Sequence, residues 1–276
     1  MSGFLEQMAA TSAARVRTAK ASVAEATLLE RAQRTPAPPP LRLAADGFDL
    51  IAELKLRSPA AGALGVAEAS VAEYVTAYAH AGAAAVSVLT EPTRFDGALT
   101  HLSDAARRLA PHRVPAMRKD FLVDPYQVLE ARVAGAGGVL LILRMLSRET
   151  LGALIECARS QGLFVLLEAF DAADLERMHE VVAADAGRST LLAGVNCRDL
   201  ATLEVVPGRL LELAPLLPGG VPPVAESGVA GAEDARRLAA AGYRLLLVGS
   251  ALMRDQDPAG LARALIETGR AARRTS

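Results

Sequence analysis

The amino-acid sequence predicts an α/β protein, a (β/α)8 TIM barrel with an N-terminal helical extension. The chain contains eight short apolar runs. Between most neighbouring runs lies a stretch of helix length with an apolar face, for example at residues 70–81 and 126–134. The eight runs are Leu50–Leu54, Ala85–Leu89, Val114–Met117, Gly138–Leu143, Phe164–Leu167, Leu191–Val195, Pro222–Ala225 and Leu245–Val248. Continuous apolar strands alternating with helices are typical of parallel sheets with right-handed crossovers. Eight such units in about 230 residues match the (β/α)8 barrel.

A doubly wound open sheet is the competing architecture. It usually carries a G-x-G-x-x-G turn after its first strand. In this chain the first apolar run is followed by Lys55-Leu56-Arg57-Ser58-Pro59, which lacks that turn. The sequence therefore favours the closed barrel.

The N-terminal region is predicted to be a helix that a proline-rich segment separates from the barrel. Residues 1–33 are rich in Ala, Leu, Glu and Arg, and the segment Thr35-Pro36-Ala37-Pro38-Pro39-Pro40 follows them. Proline ends a helix because it lacks the backbone N–H and clashes with the preceding turn. We expect one domain over residues 1–276, with the extension and connector in 1–45 and the barrel in 46–276.

Composition and charge exclude several classes of protein. The 276 residues contain 30 Lys and Arg against 31 Asp and Glu, a net charge of −1 without the basic excess of nucleic-acid binders. Hydrophobic residues make up 51%, which is typical of a globular chain. Two cysteines and four scattered histidines predict neither a disulfide framework nor a metal site. With no signal-peptide pattern and no apolar run near the ~20 residues of a membrane span, we expect a cytoplasmic protein with no membrane partner.

Polar side chains follow seven of the eight apolar runs. They are Glu53 and Lys55, Thr90 and Glu91, Arg118 to Asp120, Glu168, Asn196 and Arg198, Glu226 to Gly228, and Gly249 with Ser250. In a barrel the carboxyl ends of all strands meet at one rim, where catalytic groups lie. Because buried charges are costly unless they are paired, chance does not readily produce this pattern.

Glycines follow the seventh and eighth runs, at Gly228 and at Gly249-Ser250. Barrels often bind phosphate there, through backbone N–H groups and the start of a short helix. Ordinary strand-to-helix turns are the alternative interpretation. The residues themselves thus indicate a barrel enzyme for a small phosphorylated substrate, with no cofactor motif.

Taken together, the motifs resemble the indole-3-glycerol phosphate synthase family. They are Glu53-Leu54-Lys55 with Ser58-Pro59, Ser87 to Glu91 with Phe95-Asp96-Gly97, Arg118 to Phe121, Tyr126-Gln127 with Glu130-Ala131-Arg132, Asn196 to Leu200, Ala225 to Gly228, and Leu247-Val248-Gly249. Each motif is weak by itself, but their order and spacing are specific. The resemblance implies conversion of 1-(2-carboxyphenylamino)-1-deoxyribulose 5-phosphate to indole-3-glycerol phosphate, with loss of carbon dioxide and water and without cofactor or metal. The resemblance leaves open whether the protein is a monomer or a homodimer.

The resemblance also implies roles for individual residues. Lys119 is the expected general acid for ring closure, and we expect its pKa to be lowered by burial near other cations. The rest of the expected catalytic set is Glu168, Glu53, Lys55 and Asn196. The expected substrate-binding residues are Ser58, Phe95, Arg198 and Glu226. The expected phosphate-binding residues are Ser227, Gly228, Gly249 and Ser250.

A few positions depart from the family pattern. Phe170 stands where the family commonly has histidine, Gly137 where it has aspartate, and Ala60-Ala61 where a lysine is usual. A divergent paralogue that acts on a ring-substituted anthranilate derivative is therefore one alternative. A phosphate-binding barrel without catalysis is another. A phosphoribosylanthranilate isomerase-like enzyme would need a cysteine base and an aspartate acid, which Glu53 and Lys55 disfavour.

Overall fold

The computed structural model describes residues 3–45, 47–55, 57–58, 62–63, 71–199, 202, 204–206 and 208–274, with only the backbone of residues 57, 58, 62 and 63. The strands in chain order are β1 Asp49–Leu54, β2 Arg57–Ser58, β3 Gly62–Ala63, β4 Ala85–Leu89, β5 Ala116–Lys119, β6 Gly138–Ile142, β7 Phe164–Ala169, β8 Leu191–Asn196, β9 Pro223–Glu226 and β10 Leu245–Val248. Strands β1 and β4 to β10 form a closed barrel in which β1 pairs with both β4 and β10, and all eight neighbouring pairs are parallel. The predicted (β/α)8 barrel is confirmed. β2 and β3 form a separate antiparallel pair.

Four of the eight barrel strands, β5, β7, β8 and β9, extend further toward their carboxyl ends than the apolar runs predict. The run at Val114–Met117 is displaced, since β5 begins at Ala116 and continues through Lys119. In the same way β8 includes Asn196 and β9 includes Glu226. These polar residues remain in strand because neighbouring strands pair with them, Asn196 with Glu226 and Lys119 with Leu89. Apolarity by itself therefore predicts the strand ends too early.

Helices surround the barrel. In chain order they are α1 Gly3–Ser22, α2 Glu25–Arg34, α3 Val71–His80, α4 Pro92–Phe95, α5 Leu99–Leu109, α6 Pro125–Val133, α7 Arg148–Ser160, α8 Ala172–Asp185, α9 Arg209–Leu213, α10 Ala232–Ala240, α11 Ser250–Arg254 and α12 Pro258–Arg274. α6 shows a typical start, because Asp124 accepts the backbone N–H of Tyr126 and Pro125 occupies the first turn. The core between helices and strands consists largely of buried Leu, Val, Ile and Ala.

The extension contains two helices, so the prediction of one helix over residues 1–33 is wrong. α1 ends at Ser22, and Ala24 has an extended backbone before α2 begins. The reason is a tertiary contact: the Tyr126 hydroxyl on α6 donates to the carbonyls of Ala19 and Val23, at 3.1 and 2.9 Å. The Tyr126 hydroxyl thereby provides a partner for the Val23 carbonyl at the break, whereas the Ala19 carbonyl also accepts the backbone N–H of Val23.

The proline-rich connector is tied to the barrel by a buried arginine. Arg132 on α6 donates to the carbonyls of Thr35 and Pro36, at 2.6 and 2.9 Å. A Cβ at Gly137 would lie 2.6 Å from the Pro115 Cβ and 3.1 Å from the Pro39 carbonyl oxygen, so Pro115 and the connector together favour glycine there. Within the described ranges, no helix combines the length and apolarity needed to span a membrane.

Candidate active site

The carboxyl ends of the barrel strands surround a cavity of about 680 Å³. Eleven of the thirteen residues that the sequence analysis proposes for the site line it: Glu53, Lys55, Phe95, Lys119, Glu168, Asn196, Arg198, Ser227, Gly228, Gly249 and Ser250. The side chain of Ser58 lies outside the described residues. Glu226 lies beneath the cavity floor with 0% exposure and is not part of the lining.

A line of alternating charges crosses the floor of the cavity. The Glu53 carboxylate lies 3.0 Å from Lys55 Nζ and 2.8 Å from Lys119 Nζ, and its side chain is only 4% exposed. Glu53 lies near the end of β1, and Lys55 directly follows that strand. Burial raises the pKa of Glu53, but the ammonium groups of Lys119 and Lys55 outweigh it and hold the pKa at about 2. Glu53 is therefore ionised at neutral pH.

The pKa of Lys119 is raised, which contradicts the expectation that it would be lowered. Burial lowers the pKa of this ammonium, but the charges of Glu53, Glu168 and Glu226 raise it by more. The expectation is wrong because the nearest charges are carboxylates rather than cations. Lys119 thus carries its proton at neutral pH and is able to donate it.

Glu168 and Asn196 form the opposite side of the floor. The Asn196 side-chain amide donates to Glu168 Oε1 at 2.8 Å, and the same asparagine accepts the backbone N–H of Arg198. These two bonds orient the amide, with its nitrogen toward the carboxylate. Glu168, at the end of β7, is thereby held facing the cavity.

Glu226 lies under Glu168, in the space that a glycine leaves open. A Cβ at Gly194 would lie 2.3 Å from Glu226 Oε1, so no larger residue at position 194 fits this arrangement. Among the residues that the structure describes, no donor reaches either Glu226 carboxyl oxygen. Burial and the neighbouring Glu168 raise the pKa of Glu226 well above its usual range, with Lys119 opposing. Glu226 therefore keeps its proton to a higher pH than an ordinary glutamate does.

One end of the cavity is aromatic. The Phe121 ring lies 5.9 Å from the Phe4 ring, edge to face, and 6.3 Å from the Phe95 ring. These rings come from α1 and from the segments after β5 and β4, and Phe170 after β7 is a further aromatic residue of the cavity lining. Offset and edge-to-face rings of this kind favour another aromatic ring. The arrangement is suited to an aryl group.

Several lining residues are absent from the sequence-based set, namely Phe4, Phe121, Leu140, Ile142, Phe170 and Arg254. Leu140 and Ile142 belong to an apolar run, and their alternate spacing on β6 is the only signal that they share a face. Nothing in the sequence near Phe4 indicates that α1 reaches the rim.

Helix α1 is attached to the segment that carries Lys119. Arg15 forms two hydrogen bonds to Asp120, at 2.7 and 2.9 Å. Ser12 donates to the Phe121 carbonyl. Burial raises the pKa of Asp120, but Arg15 and Arg118 hold it at about 2, so the buried pair remains charged. The extension thus fixes the two residues that directly follow the catalytic candidate.

The other end of the cavity is rich in glycine and hydroxyl groups. Ser227 and Gly228 both have a left-handed backbone, with φ of 67° and 70°. A Cβ at Gly249 would lie 2.6 Å from Glu53 Oε1, so the backbone approaches the floor closely there. The N–H groups of the first turn of a helix have no partner within the helix, and α11 begins at Ser250 beside the cavity. This end is suited to an anion. Over the described ranges, no three His, Cys, Asp or Glu residues gather as metal ligands would.

The fold and the cavity together define a (β/α)8-barrel enzyme with acid–base groups at its carboxyl rim. The family profile described as indole-3-glycerol phosphate synthase matches residues 5–265. A relative of that name from Parafrankia sp. (strain EAN1pec) is 44% identical, over 88% of this chain and 88% of the relative. Another from Mycolicibacterium gilvum is 41% identical, over 98% and 94%. The chain belongs to the indole-3-glycerol phosphate synthase family, and it is an enzyme of the carboxy-lyase type.

Solved structures share the fold at low sequence identity. 3-Hexulose-6-phosphate synthase from Salmonella typhimurium has a TM-score of 0.61 and 18% identity, covering 82% of this chain and 100% of that chain. Orotidine 5'-phosphate decarboxylase from Pyrococcus horikoshii has a TM-score of 0.56 and 16% identity, covering 80% and 99%. At these identities the likeness concerns the barrel fold alone.

Proposed function

We propose that the protein converts 1-(2-carboxyphenylamino)-1-deoxyribulose 5-phosphate to indole-3-glycerol phosphate, carbon dioxide and water. The observation that carries this proposal is the order of groups along the cavity. An aromatic end, a centre of paired ammonium and carboxylate groups and a glycine-rich end follow one another. The substrate has an aryl group, a reacting ketone and a phosphate in the same order. Family membership supports the same reaction.

Lys119 is the general acid of the first step in this proposal. The ring carbon that bears the carboxylate attacks the ketone carbon, and Lys119 Nζ gives a proton to the ketone oxygen as the new bond forms. The Glu53 and Glu168 carboxylates near Lys119 keep the ammonium charged until the oxygen develops negative charge. Loss of carbon dioxide from the same ring carbon returns the electron pair to the ring.

Dehydration follows at the same centre. The hydroxyl formed in the first step leaves as water after it accepts a proton, and the substrate loses a proton to complete the indole. We assign the proton donor to Lys55 and the acceptors to Glu53 and Glu168, which alternate with the lysines along the floor. Asn196 fixes Glu168, and Arg198 and Phe95 orient the substrate from the walls.

Glu226 acts through Glu168 rather than on the substrate in this proposal. Its 0% exposure leaves no surface for a substrate atom, and its position under Gly194 directs it toward Glu168. A proton on Glu226 keeps one negative charge on the pair rather than two. Glu168 then remains an ionised base. This replaces the direct substrate contact expected for Glu226 from the family resemblance.

The phosphate is held at the glycine-rich end. The backbone of Ser227 and Gly228 turns into the cavity, and the start of α11 at Ser250 faces the same space. Backbone N–H groups at such positions bind phosphate without a bulky side chain in the way. We further propose that the enzyme works in the cytoplasm as a monomer or a homodimer.

The test is the appearance of indole-3-glycerol phosphate fluorescence from synthetic substrate. Lys119→Ala should reduce turnover at least ~10²-fold, because the proton donor is lost. Lys20→Ala is a matched control, since Lys20 is the one lysine of this three-lysine chain that lies outside the cavity. A parent protein that binds the substrate without turning it over would indicate the alternative, a barrel that binds phosphate ligands without catalysis.

A further inference from the structure

The ring of Phe170 lines the cavity, and the guanidinium of Arg144 lies against it. Phe170 lines the cavity and is 3% exposed, while Arg144 is not part of the lining. The Arg144 guanidinium carbon lies 4.9 Å from the centre of the ring. A cation on a ring face at this distance attracts it, the more so where both are partly desolvated. The ring thus has the cavity on one side and a charge on the other.

The arginine is itself fixed. Arg144 Nε donates to Asp174 at 2.8 Å, and the other end of the guanidinium contacts both Asp174 and Asp171. The same Asp174 carboxylate accepts the backbone N–H of Phe170 at 2.8 Å. One carboxylate therefore anchors the backbone of Phe170 and the cation that holds its ring. Neither the Phe170 backbone nor the Arg144 guanidinium moves without breaking a charged hydrogen bond.

We propose that Phe170 is a specificity-determining wall of the aryl end and that Arg144 is its positioning residue. This inference rests on the proposed function. The wall selects a 2-carboxyphenylamino group with no further substituents, and it rejects a methyl group on the ring edge that meets Phe170. A rigid pocket discriminates one methyl or methylene group by about 10- to 200-fold in kcat/KM. A wall able to swing aside loses that discrimination.

The experiment compares kcat/KM for five substrates, the unsubstituted compound and its four isomers with one methyl group on a free ring carbon. The proteins are the parent, Phe170→Ala, Arg144→Met, the double variant and Arg148→Met. Arg148 is a matched control because it pairs with Glu180 on the exposed surface, 80% exposed, and is not part of the cavity lining. The readout is the ratio of kcat/KM between each isomer and the unsubstituted substrate, which does not depend on the fraction of folded protein.

The parent should reject at least one isomer by tenfold or more, and Phe170→Ala should reduce that discrimination at least tenfold. Arg144→Met should reduce it in the same direction, and it should add nothing in the Phe170→Ala background, because it acts through the ring. If Phe170→Ala does not fold, Arg144→Met against Arg148→Met carries the test. Equal use of all five substrates by the parent, or unchanged ratios in both variants, would overturn the inference. Failure of the parent on the unsubstituted substrate would instead refute the proposed function.

Discussion

Replacing Glu226 by glutamine turns a buried carboxyl group into an amide of the same shape that cannot ionise. The side chain is 0% exposed, and its pKa is raised by burial and by Glu168. If the group is protonated, as we infer, the amide preserves its ability to donate a hydrogen bond to Glu168. The variant should therefore fold, and its stability should differ from that of the parent in a way that depends on pH.

The sign of the pH dependence follows from the raised pKa. In the unfolded chain a glutamate loses its proton near pH 4.3, whereas in the folded protein Glu226 keeps it to higher pH. The stability that the neutral carboxyl contributes is complete below ~pH 4.3 and is lost as the pH rises toward the folded-state pKa. Between the unfolded-state and folded-state pKa values, the free energy of unfolding of the parent falls by about 1.4 kcal/mol per pH unit. Glutamine does not ionise and therefore does not lose this stability, so the free energy of unfolding of Glu226→Gln relative to the parent should increase with pH at the same rate.

The assay is thermal or urea unfolding of the parent and Glu226→Gln at intervals between ~pH 5 and ~pH 8. For a chain of 276 residues the expected divergence is roughly 2–3 °C in Tm per pH unit. Glu176→Gln, at an exposed position on α8, is the matched control and should show no such divergence. A constant difference between parent and Glu226→Gln, or one that shrinks as the pH rises, would mean that Glu226 is ionised in the folded protein, and our reasoning would be refuted.

Three further changes test the site and its supports. Arg15→Ala breaks the bidentate pair with buried Asp120 and should lower the free energy of unfolding in urea by ~2–3 kcal/mol. The loss is smaller than for a fully unpaired charge because Arg118 still contacts Asp120. An unchanged unfolding midpoint would count against anchoring by α1. Gly194→Ala places a Cβ 2.3 Å from Glu226 Oε1 and should cost ~1–3 kcal/mol by calorimetry, and a neutral result would contradict the packing beneath the floor. Glu53→Gln removes a carboxylate that raises the pKa of Lys119, so the alkaline limb of the pH–rate profile should move to lower pH. A limb that stays in place would show that Glu53 does not raise the pKa of Lys119.

The roles of Lys119 and Glu53 illustrate what a strand-end pattern is able to predict. Both residues follow apolar runs, and parallel strands in a barrel present their carboxyl ends at one rim. The distance of 2.8 Å between Lys119 Nζ and Glu53 Oε2 agrees with that pattern. The direction of the Lys119 pKa does not follow from the pattern, because it depends on the distances to three carboxylates on β1, β7 and β9.

The sequence by itself determined the barrel, its eight strands and the rim at which the polar groups lie, because hydrophobic periodicity acts within a few residues of the chain. Only the tertiary structure decided that the extension breaks at Val23, where Tyr126 binds its carbonyls. It also decided that Phe4 reaches the cavity and that Glu226 lies below the floor rather than in it. These features depend on contacts between residues far apart in the chain, and burial and charge at those contacts are set by distances that no local pattern contains.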